Sequence, residues 1–486
     1  MVAAEIAPWA KVGGLGDVIA ALPSALCRQG AEVVLVLPRY LCLREPLMPV
    51  RALHRYPFRM AWGPYSSYNL RLFEARHPEG FQVLLVDCPP LFDRAGIYHA
   101  PGASHDYTDS LVRWTALCRG ALFGALLLGG EWDIVHAHDM HAALTLPLLR
   151  EEHKASPLHH ARAVLSVHNL AYQGIHPLAS IEDIGISHAY AEPFGPYEFY
   201  GQFNMMKAGL LFADGIHTVS PTYAYEIVEE PAFGHGLQGV LWSRRHQVMG
   251  ILNGIDADVW DPQSQPALPA FYNSEELEGK TVCRRALQEE LGWSIDDKRP
   301  IFGMVTRLTA QKGLDLVAAC VPMLVQQGAR LAILGTGDPR LEASLRALME
   351  RHPEHLQARF LFDQALAHRI LAGSDLCLMP SLFEPCGLVQ MYAMRYGTPP
   401  IVRRTGGLAD TVEMFEPEHL TGTGFLFDEP ESNALASAIQ KALLIWKKPN
   451  LWNELVKNAM KRDFSWDHIA HDYIKWYHEL LTVVRP

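Results

Sequence analysis

Several short segments gather charged, polar and glycine residues at spacings that could do chemistry. Lys11-Val-Gly13-Gly14-Leu-Gly-Asp17 runs directly into a helical pattern over 18–29. Glycines ahead of a helix let the backbone approach a ligand closely, and the helix N-terminus offers free N–H groups to an anion. Lys11 would add a full positive charge. The order is not G-x-G-x-x-G, so a tight turn beside an exposed lysine is an equal reading of this segment alone.

His136-Ala-His138-Asp139-Met-His141 follows an apolar run. These are metal-ligand residue types. No matching carboxylate cluster occurs elsewhere, however, and the ends of parallel strands are where α/β proteins bind ligands. The segment therefore reads as polar groups lining a substrate cleft rather than as a metal site. His168-Asn-Leu-Ala-Tyr-Gln-Gly174 follows a second such run and reads the same way.

The later half carries three more segments. In Arg307-Leu-Thr-Ala-Gln-Lys312-Gly313 an arginine and a lysine flank a turn into a helix, an arrangement able to clamp a diphosphate. A solvated basic loop is the rival reading. Pro380-Ser-Leu-Phe-Glu384-Pro-Cys386-Gly387-Leu388 sets an acid beside Pro and Gly at a strand-to-helix junction. The acid suits sugar hydroxyls, and the backbone N–H groups suit phosphate. Arg403-Arg404-Thr405-Gly406-Gly407-Leu-Ala-Asp410 is another glycine turn at a helix start.

The elements that must position these segments are short β-branched runs bounded by Gly, Pro, Asn or Asp. They are expected at 32–37, 81–87, 134–137, 163–167, 215–219 and 248–252, and then at 301–305, 330–334, 359–362, 376–379 and 400–402. Continuous apolar runs of this kind belong to parallel strands buried on both faces. Helical stretches between them imply βαβ units and doubly wound sheets. All six chemical segments fall at strand C-terminal ends, three in each half, which predicts one cleft between two α/β domains. The Pro-rich stretch 261–277 is the expected linker or hinge. Residues 465–481 form an amphipathic helix expected to cross back to the first domain.

Composition agrees with an enzyme of this class. The chain has 486 residues, 49% hydrophobic and 20% charged, which excludes a disordered or fibrous protein. Asp plus Glu exceeds Lys plus Arg for a net charge of -11, so nucleic acid is not an expected partner. Eight cysteines show no C-x-x-C pairing, and scattered thiols fit a reducing compartment. The start has no basic and apolar leader pattern. Residues 111–130 are the most apolar stretch but contain Arg113 and Arg119, so a buried helix is expected there and no membrane partner. Val2-Ala-Ala leaves a very short opening strand. The expectation is that the natural start lies upstream, or that the chain is a fragment, and a truncated first strand would leave Lys11 poorly anchored.

The segments as a set, in their order, resemble the glycogen/starch synthases, retaining glucosyltransferases of the GT-B fold (glycosyltransferase family 5). Glu198-Phe-Tyr-Gly-Gln, Lys207-Ala-Gly, Val219-Ser-Pro-Thr-Tyr and Ile251-Leu-Asn253-Gly-Ile-Asp complete the match, which runs from Met1 to about Asp467. The resemblance implies two Rossmann-like domains: 1–262 on the acceptor side, 263–464 binding the nucleotide sugar, and 465–486 as the returning helix. It implies transfer of glucose from ADP-glucose to the non-reducing end of an α-1,4-glucan or malto-oligosaccharide, with retention of configuration. Implied catalytic residues are His168, Asp139, Arg307, Lys312 and Glu384. Implied donor contacts are Lys11, Gly13, Gly14, Asp17, Asn253, Cys386, Gly387, Leu388, Thr405 and Gly406, with the base near 362–364 and Leu388. No cofactor and no catalytic metal are implied, and the location is cytoplasmic, or the plastid stroma in a photosynthetic eukaryote. Many GT-B relatives carry a second Glu where this chain has Tyr392, a departure expected of synthases. A UDP-glucose-using synthase and a catalytically silent glucan-binding homologue are the alternatives. A dehydrogenase falls behind because the Lys11 loop lacks its fingerprint.

Overall fold

The computed structural model describes residues 1–44, 49–62, 66–103, 105–187, 190–296 and 298–483. The chain divides into two compact units. The first comprises residues 1–219, 224–252 and 466–486, and the second 220–223 and 253–465. Both are built on parallel sheets flanked by helices.

In the first unit, Val248–Gly250, Gly215–Thr218, Arg162–Val167 and Ile134–His138 pair in parallel in that order. Val34–Pro38 and Gln82–Asp87 form a second parallel pair. Val2 joins the two sets through parallel bridges to Ala137 and to Val36. Its N–H donates to the His136 carbonyl at 2.8 Å, and the His138 N–H donates back to Val2 at 3.0 Å. Val2 thus lies centrally between the two sets, and Val2, Ala3, Ala4 and Ile6 are all buried. The sheet order reverses between Val2 and Ile134–His138, which is the topological switch point where open α/β sheets bind ligands.

The helix Gly14–Arg28 buries Leu15, Val18, Ile19, Leu22, Ala25 and Leu26, an apolar stripe at helical spacing. It packs on the final helix, Trp466–Thr482, through Trp466, Ile469, Ala470, Tyr473 and Trp476. The helix Ser110–Leu128 is long and apolar enough to cross a membrane by composition alone. Here it is a core helix with Trp114, Leu117, Leu122 and the arginines Arg113 and Arg119 buried. Arg113 donates from Nε and Nη2 to the carbonyls of Leu91 and Ile97, each at 2.8 Å, while its Nη1 has no partner among the described residues.

The second unit holds one six-stranded parallel sheet. Its order is Leu356–Arg359, Arg330–Leu334, Ile301–Val305, Leu376–Met379, Pro400–Arg403 and Phe425–Phe427. Its switch point lies between Ile301–Val305 and Leu376–Met379.

Three expectations are corrected. The strand expected at 359–362 lies at Leu356–Arg359. Register with Arg330–Leu334 is fixed by burying Leu356 and Ala358, whereas Phe362 is 81% exposed. The stretch 261–277 is not a free linker. Leu268 and Tyr272 are buried, and the Tyr272 hydroxyl donates to the Tyr396 carbonyl at 2.8 Å. The chain divides at Leu252 and Asn253, ahead of the expected 262. An antiparallel hairpin, Phe58–Trp62 with Ser66–Arg76, was not expected. Its polar face gives alternation rather than a continuous apolar run.

Candidate active site

In each unit the candidate residues leave the C-terminal ends of strands beside the switch point. The first unit contributes the loops after Val2, after Ile134–His138 and after Arg162–Val167.

The glycine loop is organised by a residue that sequence reasoning missed. Glu5 is buried, and its Oε2 accepts from the N–H groups of Val12 at 2.7 Å and Gly13 at 2.9 Å. Its Oε1 accepts from the Tyr98 hydroxyl. Gly13 thus directs its N–H at an internal carboxylate, and a buried acid just ahead of a glycine turn was the available signal. The Lys11 Nζ reaches Asp17 Oδ1 at 2.6 Å in a local ion pair, with both side chains about a third exposed. Gly16 is required at this point. A Cβ there would sit 3.0 Å from the Lys11 stem and 3.2 Å from the Glu5 carboxylate. Gly14 stays exposed at the first turn of the helix.

Asp139 opens the next loop with a left-handed φ of 58°. Its Oδ1 accepts from the backbone N–H of His168 at 2.7 Å, which ties two strand ends together. Burial pushes the Asp139 carboxyl up to about 7, against the opposing pull of the His168 and Asn169 N–H groups. His168 is pushed down to about 3, by burial first and then by His217. Its Nε2 lies 3.0 Å from His138 Nδ1. His136 is engaged by Ser166 at 2.6 Å and by Tyr477 at 2.7 Å, and His141 stacks on Tyr98 at 4.6 Å. These histidines pack with one another and with tyrosines.

The second unit brings its candidates together tightly. The Lys312 Nζ lies 2.5 Å from Glu384 Oε2, with side-chain exposures of 13% and 9%. The Ser381 hydroxyl donates to the same oxygen at 2.9 Å. The loops that carry the pair are laced by backbone and amide bonds. The Leu382 N–H donates to the Gln311 carbonyl at 2.8 Å, and the Gln311 amide donates to the Phe383 carbonyl at 2.9 Å. Gly313 has a left-handed φ of 65°, and a Cβ there would fall 2.2 Å from the Pro380 carbonyl. Arg307 is exposed at the same edge.

The third loop closes on the second. A Cβ on Gly406 would lie 2.0 Å from the Glu384 carbonyl oxygen, and one on Gly407 would lie 2.2 Å from that of Cys386. Only glycine permits this approach, and the Gly407 N–H then donates to the Glu384 carbonyl at 3.1 Å. Thr405 stands at the N-cap position of the short helix Gly406–Thr411, without a side-chain capping bond, and is buried. Cys386 is buried, with its thiol pushed up to about 12, and it hydrogen-bonds to Asn253. The buried Asn253 Oδ1 has no partner among the described residues. Gly387 has a φ of 73° and leads through Leu388 into the helix Val389–Arg395. Tyr392 is buried in a stack with Trp260, ring centroids 3.8 Å apart at 8°, so an aromatic pair occupies the position of the second Glu. Phe362 stands exposed at the start of its loop.

Residues 1–243 match the family model described as the starch synthase catalytic domain, and 289–462 match that of glycosyl transferases group 1. A glycogen synthase from Yersinia pseudotuberculosis serotype O:1b is 41% identical over 99% of both chains, and one from Yersinia pestis (strain Pestoides F) is 42% identical with the same coverage. The catalytic domain of starch synthase IV from Arabidopsis thaliana, solved bound to ADP and acarbose, superposes with a TM-score of 0.89. It is 33% identical over 99% of each chain. Sucrose-phosphate synthase from Thermosynechococcus elongatus, at 19% identity and a TM-score of 0.60, shares the fold. Two Rossmann-like units with their loops at the switch points, and full-length identity to glycogen synthases, place this chain in the glycogen/starch synthase family of GT-B glycosyltransferases.

Proposed function

We propose that the enzyme transfers glucose from ADP-glucose to the non-reducing end of an α-1,4-glucan with retention at the anomeric carbon. The observation that carries this reading is the Lys312–Glu384 pair at the switch point of the second unit, 2.5 Å apart and seated on the Gly406–Gly407 turn. Lys312 and the exposed Arg307 neutralise the diphosphate. Glu384 holds hydroxyls of the transferred sugar. The N–H groups of the 386–388 turn, together with Thr405 and Gly406, meet the phosphates. Asn253, with its unpartnered buried oxygen, completes the donor contacts. The base lies against Phe362. ADP bound to the Arabidopsis relative supports the choice of nucleotide.

In the reaction the bond from C1 to the β-phosphate oxygen breaks and the bond from the acceptor O4 to C1 forms on the same face. The acceptor proton passes to the departing phosphate. Negative charge grows on the leaving diphosphate, so fixed Arg and Lys charges bind the transition state more strongly than the ground state. No carboxylate pair of the retaining-glycosidase kind is required. The first unit's part is to supply Lys11 to the donor phosphates, with Asp17 close by as its ion-pair partner, and His168 and Asp139 to the sugar.

Incubation of the folded protein with ADP-glucose and a malto-oligosaccharide is expected to release ADP and lengthen the acceptor. UDP-glucose is expected to give a lower kcat/KM. Neither nucleotide release nor extension from a folded sample would overturn the reading.

A further inference from the structure

His138 is fully buried, yet it stands one hydrogen bond from a half-buried site residue. Its Nδ1 lies 3.0 Å from His168 Nε2, and the ring centroids are 5.3 Å apart with the planes inclined by 26°, the separation of two rings joined end to end through that bond. One of the two nitrogens must carry the proton. The opposite edge of the His138 ring decides which. Among the described residues, His138 Nε2 is buried and has no hydrogen-bond partner. If His168 were the donor, neutral His138 would have to carry its proton on Nε2, as a buried N–H without an acceptor. A buried donor left unpaired is rarer and costlier than an unused lone pair. His138 therefore carries its proton on Nδ1 and donates it to His168. Burial holds both rings neutral.

A second chain of bonds backs the His138 ring, and one proton order satisfies it throughout. His217 Nε2 faces the Ile251 carbonyl at 3.2 Å and the Tyr473 hydroxyl at 3.1 Å; the carbonyl can only accept and the hydroxyl is able to, so both contacts fit Nε2 as the donor. His217 Nδ1 then accepts from the Ser166 hydroxyl at 2.7 Å, and Ser166 in turn accepts from His136 Nε2 at 2.6 Å. His136 Nδ1 accepts from the Tyr477 hydroxyl at 2.7 Å. The His136 ring so fixed lies against His138, with centroids 4.1 Å apart.

We propose that His138 is a positioning residue whose Nδ1–H holds His168 as the Nδ1–H tautomer, presenting that N–H to a hydroxyl oxygen of the transferred sugar. Free neutral histidine favours the Nε2–H form, so the inverted form needs a fixed donor of this kind. The catalytic consequence rests on the reading of His168 as a sugar contact. The tautomer itself does not.

The test has two arms. The first measures 15N shifts of histidine-labelled protein without substrate, with His168 assigned by comparison with His168→Gln. The expected pattern is a protonated Nδ1 and an unprotonated Nε2 at His168. A protonated Nε2 overturns the proposal whatever the activity. The second arm compares His138→Asn, which keeps an N–H donor near the Nδ1 position, with His138→Phe, which keeps a ring and loses the donor. His138→Phe is expected to lower kcat about tenfold or more with the KM for glucan unchanged, a loss of the order expected when one aligned donor is misdirected. His138→Asn is expected to retain most of the activity and the Nδ1–H signature. Equal loss in both variants, with the His168 tautomer unchanged, overturns the positioning role. Full activity of His168→Gln would instead overturn the reading of His168 as a sugar contact and leave the tautomer assignment standing.

Discussion

Lys312 and Glu384 form a pair that is nearly closed to solvent, and the Ser381 hydroxyl supports it. Removing one partner of such a pair leaves the other charge buried, at a cost of about 3–5 kcal/mol. Glu384→Ala is therefore expected to lower both the melting temperature and turnover. Glu384→Gln keeps an oxygen for Lys312 and Ser381 but not the charge, so it should melt below the wild type and above Glu384→Ala, while kcat falls at least about 100-fold. Thermal melts and steady-state kinetics on the two variants separate the structural loss from the chemical one. A Glu384→Gln enzyme of full activity would remove the carboxylate from the sugar site. Asp139 gives a prediction with a sign. Its carboxyl titrates at about 7 and accepts N–H bonds best when ionised. If the ionised form orders the His168 loop, kcat/KM should climb as pH rises through about 7, and Asp139→Asn should flatten that limb. At this scale the sequence announced charge types but not partners. The Lys312–Glu384 contact joins residues on separate loops, and Glu5 held no motif position of its own.

At the scale of elements, the glycine turns work by letting one loop press on another. Gly407 meets the Cys386 carbonyl, and an added Cβ would lie 2.2 Å from that oxygen. Gly407→Ala is expected to push the 384–388 turn outward. ADP affinity measured by calorimetry should fall, whereas the melting temperature of the first unit should hold. An unchanged ADP affinity would show that the turn does not contact the donor. Many strands were legible because both of their faces are buried, which leaves uninterrupted apolar runs. The hairpin Phe58–Trp62 with Ser66–Arg76 was not, because Leu70 and Leu72 alternate with solvated residues. The strand at Leu356–Arg359 was misplaced because the exposed Leu361 and Phe362 extend the apolar run past its paired end.

At the scale of the molecule, the first unit carries a block of buried neutral histidines. His141 and His168 are pushed down to about 3 and His217 to about 4, while His136 and His138 lie well below the ordinary value, burial being the largest cause throughout. The unfolded chain binds protons near 6.5 that the folded unit cannot accept. Stability is thus fully present above about 6.5 and is lost progressively as pH falls toward about 3. Asp139 has the opposite sign, since a raised carboxyl favours the fold at low pH, but it is one group against five. Denaturant melts between pH 7 and 4 are expected to show a falling midpoint. A flat midpoint would mean that the histidines titrate freely in the folded unit.

The sequence by itself determined the family, the alternation of strand and helix, and which loops carry charge. These depend on residue type and on spacing along a short stretch of chain. The acidic surplus of the whole chain coexists with Lys11, Arg307 and Lys312 gathered at strand ends. Only the tertiary structure decided that Glu5 takes up the N–H groups of the glycine loop, that Val2 pairs between Ala137 and Val36, and that His138 aims its proton at His168. Each of these is a contact between residues distant in the chain. Its existence depends on parallel pairing that brings strand ends to one edge, and on burial, which makes an unpaired donor there costlier than an unused acceptor.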